Sequence, residues 1–309
     1  MSFSNSPPNV VVITGYRRPN LFRAALDSLS KNQLSGWRIA IQIEPTELVD
    51  EFQRIAEEIL KGSDHNLTIN PRRLGIRTNP FQALDTAFSS GAKGVLYLEE
   101  DLIISPDATL LSEWYFSHHE AGWLALCLLA RGCGTSGFIS NPDYPNLLFP
   151  SRTFNSLGFA VRDKEWRSFL RDAWMKLGPA RMRTFKASLP VGWDWQIYSL
   201  LVNDARLRVI QPVLARSKHN GRDDGQFSTP AFHDRTFPHL PLATAKATSL
   251  EMDQIDALPL AVRDHALLWE EMTALLRQPR IERFHLLWRY YRERIARTLR
   301  LQKDDPNRR

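Results

Sequence analysis

Two hydrophobic periods alternate through the first hundred residues. VVVIT at 10–14 is a β-branched run, and the apolar positions of LFRAALDSL, after Pro19 and Asn20, recur at helical spacing, so a strand passes through a turn into a helix. The couplet returns. WRIAIQIEP predicts a strand ending at Glu44, LVDEFQRIAEEIL a helix, NLTINP a short strand, PFQALDTAFSS a helix, and GVLYLEED the next strand. Such alternation implies an α/β fold, a mainly parallel sheet flanked by helices. Ligands of these sheets bind beyond the carboxyl ends of the strands, where Tyr16, Arg17, Glu44 and the acids Glu99, Glu100 and Asp101 would gather.

From about 108 to 240 the regularity weakens, with many prolines and glycines and several aromatic clusters, and helices are predicted only at 163–176 and 194–205. This suits a substrate half built largely from loops. After 249 come two amphipathic helical stretches, SLEMDQIDALPLAVRDHALLWEEMTALLR and IERFHLLWRYYRERIARTLRLQ. In the second, Ile281, Phe284, Leu287, Trp288, Tyr291, Ile295 and Leu299 oppose a face of arginines. That helix either packs on the domain or on a second subunit, or lies on an anionic membrane surface. The chain thus divides into a domain at 9–248, with halves at about 9–107 and 108–248, and a helical extension at 249–309.

Of the 309 residues 43% are hydrophobic and 10% aromatic, enough for a sizeable core. A net charge of +6 favours an anionic partner without choosing among nucleic acid, membrane and phosphate-bearing ligands. Cys127 and Cys133 are too few for a disulfide framework and lack the paired spacing of a zinc site, so they read as free thiols. MSFSNSPPN has neither the basic start nor the apolar core of a signal peptide. WLALCLLA, at 123–130, is too short to span a bilayer. A cytoplasmic protein is expected, peripheral at the membrane if the last helix binds lipid.

Two motifs mislead. GCGTSG at 132–137 matches GxGxxG, but FISNPDYPNLLFP follows it where a dinucleotide fingerprint needs a helix. His118, His119 and Glu120 suggest HExxH, but Trp123 stands where the second histidine belongs.

The acids ending VLYLEED are more informative. Crowded carboxylates at the end of a buried strand raise one another's pKa unless a cation neutralises them. Hard oxygen ligands suit Mg²⁺ or Mn²⁺, which take one or two protein carboxylates and fill the other positions with water and phosphate oxygens. Alternatively the triplet is an exposed strand terminus.

VLYLEEDLIISPD resembles the acidic metal-binding motif of GT-A-fold glycosyltransferases, specifically the N-acetylglucosaminyltransferase I family. VVVITGYRRP, IQIEP, NPFQALDTAF, FNSLGFAVRDKEW, GWDWQIYSL and HNGRDDGQF agree in order, over about residues 9–237. The resemblance implies a GT-A-like, Rossmann-like nucleotide-binding fold and an inverting, metal-dependent enzyme. Such an enzyme moves N-acetylglucosamine or a related hexose from a UDP-sugar to a glycan or glycolipid hydroxyl.

It also implies roles. Asp101 would ligate Mn²⁺ or Mg²⁺, Glu100 would reach the ribose, Arg17 the diphosphate and Glu44 the base. Thr14, Tyr16, Asn79 and Glu99 would complete the donor site. HNGRDDGQF, with Gly221 and Asp223, has the composition of a mobile lid that would order over the diphosphate, or else of a solvated loop. Relatives usually have aspartate at the position of Glu100, often histidine at that of Asn79, and serine near that of Asp223. Inversion needs a base for the acceptor hydroxyl, and Asp194, between Trp193 and Trp195, is the candidate; its alternative role is to cap the following helix. A sugar nucleotidyltransferase would carry a glycine-rich GxGTRxxP loop where this chain has GYRRP. A non-catalytic glycan- or nucleic-acid-binding protein is the other alternative, but no nucleic-acid module appears.

Overall fold

The computed structural model describes residues 9–129, 144–176, 192–223, 230, 233–234 and 242–252. The first half follows the predicted alternation: β1 (Asn9–Gly15), α1 (Pro19–Leu29), β2 (Trp37–Ile43), α2 (Val49–Ile59), β3 (Asp64–Ile69), α3 (Gly75–Ser89) and β4 (Gly94–Glu99). β1 pairs in parallel with β2 on one side and β4 on the other, and β3 pairs in parallel with β2. The chain therefore builds outward from β1 to β3, then crosses back to lay β4 on β1's opposite edge. That reversal opens a crevice at the carboxyl ends of β1 and β4, where α/β sheets bind ligands.

Beyond β4 come β5 (Leu102–Ile104), α4 (Ala108–Ser117), β6 (Trp123–Cys127), β7 (Leu147–Ser151) and β8 (Phe159–Arg162). Then α5 (Asp163–Glu165), a π turn (Trp166–Leu170) and α6 (Arg171–Trp174) run together, followed by α7 (Trp193–Asn203), β9 (Arg208–Pro212), β10 (Ser217–His219) and β11 (Glu251–Met252). The main sheet has nine strands among the described residues, in the order β11-β7-β9-β6-β8-β4-β1-β2-β3, with antiparallel pairing at β4–β8, β8–β6 and β9–β7. It is a mixed, mostly parallel, Rossmann-like sheet, consistent with a GT-A-type architecture. The second half is thus more strand-rich than its loop-like composition predicts. WLALC, notable in sequence only as an apolar run, is an interior strand buried at all five positions.

Alternation along β1 feeds two cores. Val10 and Val12 face α3, the α5–α6 rod and α7, while Val11 and Ile13 face α1, α2 and α4. Each large apolar side chain buried in this way contributes about 1.5–3 kcal/mol. Cys127 is buried among them, its thiol pushed up to about 12 by loss of hydration, so it behaves as an apolar residue. Glu251–Met252, where a helix was expected to be under way, instead adds an edge strand to β7, whose backbone groups would otherwise lack partners. Cys133, the GCGTSG motif and the arginine-faced helix lie outside the described residues.

A small antiparallel sheet of β5 and β10 stands at the carboxyl end of β4. It is pinned by a buried ion pair, Arg216 Nε to Asp107 Oδ1 at 3.1 Å, whose carboxylate also accepts from Ser105 Oγ and the Ala247 N–H. Satisfied on all sides, the pair holds the 217–221 segment over the acidic strand end.

Candidate active site

Strand register assembles the site. Thr14 lies opposite Glu99, the Glu100 N–H donates to the Thr14 carbonyl at 3.0 Å, and the Asn220 N–H donates to the Asp101 carbonyl at 2.7 Å. The ends of β1, β4 and β10 therefore converge on Glu100 and Asp101, which are 2% and 4% exposed. Two glycines permit the approach. A β-carbon on Gly15 would sit 2.7 Å from Glu100 Oε2, and one on Gly221 would sit 3.0 Å from Asp101 Oδ2. Gly221 is buried backbone against the acidic corner. Asp223 is exposed, ion-paired to Arg222, which also holds Asp234.

Arg17 and Arg18 diverge. Arg17 adopts φ +60°, the left-handed region that costs a non-glycine residue energy and recurs at functional sites. This turn aims the Tyr16 N–H at Glu100 Oε2 and swings Arg18 inward: its Nε donates to Glu100 Oε1 at 2.5 Å and its Nη1 to Asp101 Oδ2 at 2.9 Å. Arg17 points outward, 3.9 Å from Glu47, and both its guanidinium and that of Arg73 lie over the Tyr16 ring, 4.9 and 4.7 Å from the centroid. The sequence reading gave Arg18 no role. Its contact with the acids depends on the backbone at Arg17, which no motif encodes.

The three acids differ in charge. Glu99 is pushed up to about 8 by loss of hydration and by Asp101, and its Oε1 accepts from the Tyr97 hydroxyl, which also bonds Thr14 Oγ1. Glu100 is raised to about 7 by burial, with Arg18 opposing. For Asp101 burial acts upward, but hydrogen bonds from His219 and Arg18 prevail and hold it below the ordinary aspartate range. Asp101 is therefore the most acidic group of the cluster. Because Glu99 and Glu100 hold their protons to higher pH in the folded state than in the unfolded chain, their contribution to stability is complete below pH 4.5 and is lost as pH rises through 7 and 8. Relative to Glu99→Gln, the wild type should lose stability between pH 5 and 9 by up to about 1.4 kcal/mol per pH unit, read from denaturant midpoints. Parallel pH profiles would contradict the assignment.

Glu44 and Asn79 belong to a buried network. The Glu44 carboxylate accepts from the Leu74 and Gly75 N–H groups, at 2.9 and 2.6 Å, and from Asn70 Nδ2 at 3.2 Å, so it caps α3 from another strand. Asn79 Oδ1 accepts from Gln42 and Asn70 at 3.0 and 2.9 Å. This capping begins α3 a turn before Pro80, where sequence places its start. A carboxylate has about four acceptor positions, so Glu44 can take a ligand hydrogen bond only beside those it already accepts.

Asp194 lies in the first turn of α7, with Gly192 at the N-cap. A β-carbon on Gly192 would fall 2.2 Å from Asp194 Oδ1, so a larger residue there would displace that carboxylate. Trp193 is core, stacked on Trp174 at 3.7 Å and 6°, and edge-on to Tyr97 at 6.4 Å. Trp195 is partly buried, so it rather than Trp193 can offer a face to a ligand.

Among the described residues no group of three or more His, Cys, Asp or Glu side chains is arranged to hold a metal ion. Asp101 Oδ1 is nonetheless buried without a hydrogen-bond partner among them, while Oδ2 accepts from Arg18 and lies 3.4 Å from His219 Nε2. An orphaned anionic oxygen suits a hard cation held through one protein carboxylate and completed by water and ligand oxygens.

No protein-family model and no curated protein matches the chain. Among solved structures it is similar to a mannosyltransferase from Pyrobaculum calidifontis in complex with GDP-Man and Mn²⁺, at 12% identity and TM-score 0.42, covering 91% of this chain and 68% of that one. It is also similar to S. aureus TarS 1-349, at 13% identity and TM-score 0.43 over 66% and 60% of the two chains. The glycosyltransferase GlyE of Streptococcus pneumoniae matches at 18% identity and TM-score 0.39 over 65% and 44%. The chain thus spans from 44% to 68% of the length of these three. At such TM-scores the likeness carries no argument about activity or substrate. Among the described residues no helix is long and apolar enough to cross a membrane.

Proposed function

We propose that the chain is an inverting, metal-dependent glycosyltransferase that moves N-acetylglucosamine or a related hexose from a UDP-sugar to a glycan or glycolipid hydroxyl. One observation carries the reading: a buried, ionised aspartate with an orphaned oxygen stands at the crevice where strand order reverses. The acidic motif's resemblance to the N-acetylglucosaminyltransferase I family supplies the substrate class.

Asp101 would hold Mn²⁺ or Mg²⁺, which when bound supplies Lewis-acid stabilisation of the departing diphosphate. Arg17, exposed beside Tyr16, would meet phosphate oxygens. Glu44 and Glu100 serve base and ribose only by sharing acceptor positions already in use. In the reaction the acceptor oxygen attacks the anomeric carbon as its bond to the phosphate oxygen breaks. Asp194 takes the acceptor's proton, and the diphosphate leaves with the bonding electron pair. Any contact of the carboxyl-terminal arginine face with an anionic membrane is part of the same proposal and would place the acceptor on a lipid.

The test is a thermal-shift screen of nucleotide sugars and UDP in Mn²⁺ and in EDTA. Stabilisation of several degrees by UDP, dependent on Mn²⁺, is expected. Equal melting temperatures with every nucleotide would overturn the proposal.

A further inference from the structure

Arg18 has no part in the scheme above, yet it is the cation closest to the acids. Its side chain is 23% exposed, while those of Glu100 and Asp101 are 2% and 5% exposed, so Arg18 joins the buried acids to the surface of the site. It spans both carboxylates, and a β-carbon on Gly221 would meet Arg18 Nη1 at 3.3 Å, so the wall of the site is shaped around the guanidinium as well as around Asp101.

We infer that Arg18 is a built-in counter-cation that makes metal binding and diphosphate binding depend on each other. The inference rests on the proposed function and names how its site is regulated. Alone, a divalent ion at Asp101 Oδ1 must approach a carboxylate whose other oxygen is already neutralised by a fixed positive charge. Repulsion at this range in a buried setting is strong, so the ion by itself binds weakly. A nucleotide diphosphate changes the balance. Its anionic oxygens screen the ion from the guanidinium and offer the planar fork of Arg18 a two-pronged partner. Each ligand therefore raises the affinity for the other by the same factor. Before either arrives, Arg18 keeps the buried acids from repelling one another.

The experiment is calorimetric titration of Mn²⁺ into wild type and Arg18→Gln, each with and without saturating UDP. UDP should tighten Mn²⁺ binding to wild type by about tenfold or more, within the usual range of such coupling. Arg18→Gln should bind Mn²⁺ alone about tenfold more tightly than wild type, and UDP should then add little. If Mn²⁺ alone binds the variant no better than wild type while UDP still enhances it, Arg18 is not the coupling residue. If neither protein binds Mn²⁺ even with UDP, the metal-dependent reading itself fails. Should Arg18→Gln not fold, Arg18→Lys carries the test, since it keeps the charge but cannot span both carboxylates. Because the charge is kept, Mn²⁺ alone should still bind weakly and UDP should still enhance its binding, and loss of that enhancement overturns the inference.

Discussion

Replacing Asp194 with asparagine should lower sugar transfer by about 10²- to 10⁴-fold, the usual contribution of a positioned general base, while leaving Mn²⁺-dependent UDP binding unchanged. The separation is expected because Asp194 belongs to α7, whereas the proposed donor-binding residues lie at or just beyond the ends of β1, β2, β4 and β10 and in α3. Stability should hardly change, since an acid in a first helical turn adds only about 0.3–1 kcal/mol and Trp193 anchors the turn through its stack on Trp174. Single-turnover assays with a labelled donor, beside UDP calorimetry, would make the comparison. Transfer at the wild-type rate would remove Asp194 as the base, and equal loss of UDP binding would reduce it to a structural part of the site.

Asp101→Asn should have the opposite signature. Removing Asp101, whose Oδ1 is unpartnered among the described residues, should weaken Mn²⁺-dependent UDP binding by about a hundredfold or more, since even outer-shell partners of a metal cost ten- to a hundredfold. The amide keeps the volume of the side chain but cannot accept from Arg18 through one edge without turning its NH₂ toward the crevice. Loss of the charge also relieves Glu99, so its carboxyl should titrate closer to the ordinary glutamate range. Calorimetry with and without Mn²⁺ checks the first effect, and a pH series of thermal melts the second. Full retention of metal-dependent binding would leave the acidic corner with a purely structural part.

The donor half was legible because local signals and tertiary demand agree there. β1 and β4 are apolar runs bounded by turns, β2 and β3 alternate, and α1 and α2 between them have periodic apolar faces. Two features escaped for physical reasons. The first turn of α3 precedes Pro80 and is capped by Glu44, thirty residues back in sequence, so no local cap announces it. Arg18 rather than Arg17 enters the acid cluster because Arg17 adopts φ +60°, which the string GYRRP does not specify.

The second half was harder. Its strands β6 to β9 have four or five residues and are mostly buried, so no alternation marks them against loops. Trp193 and Trp195 look equivalent in sequence, yet only the packing with Trp174 and Tyr97 assigns Trp193 to the core.

The most direct measurement is anomalous diffraction at the manganese edge from crystals grown with MnCl₂ and UDP. A single peak bonded to Asp101 Oδ1, with the diphosphate on its far side and Arg18 turned toward the phosphates, is the expected result. A peak elsewhere, or UDP bound with no metal beside Asp101, would contradict it.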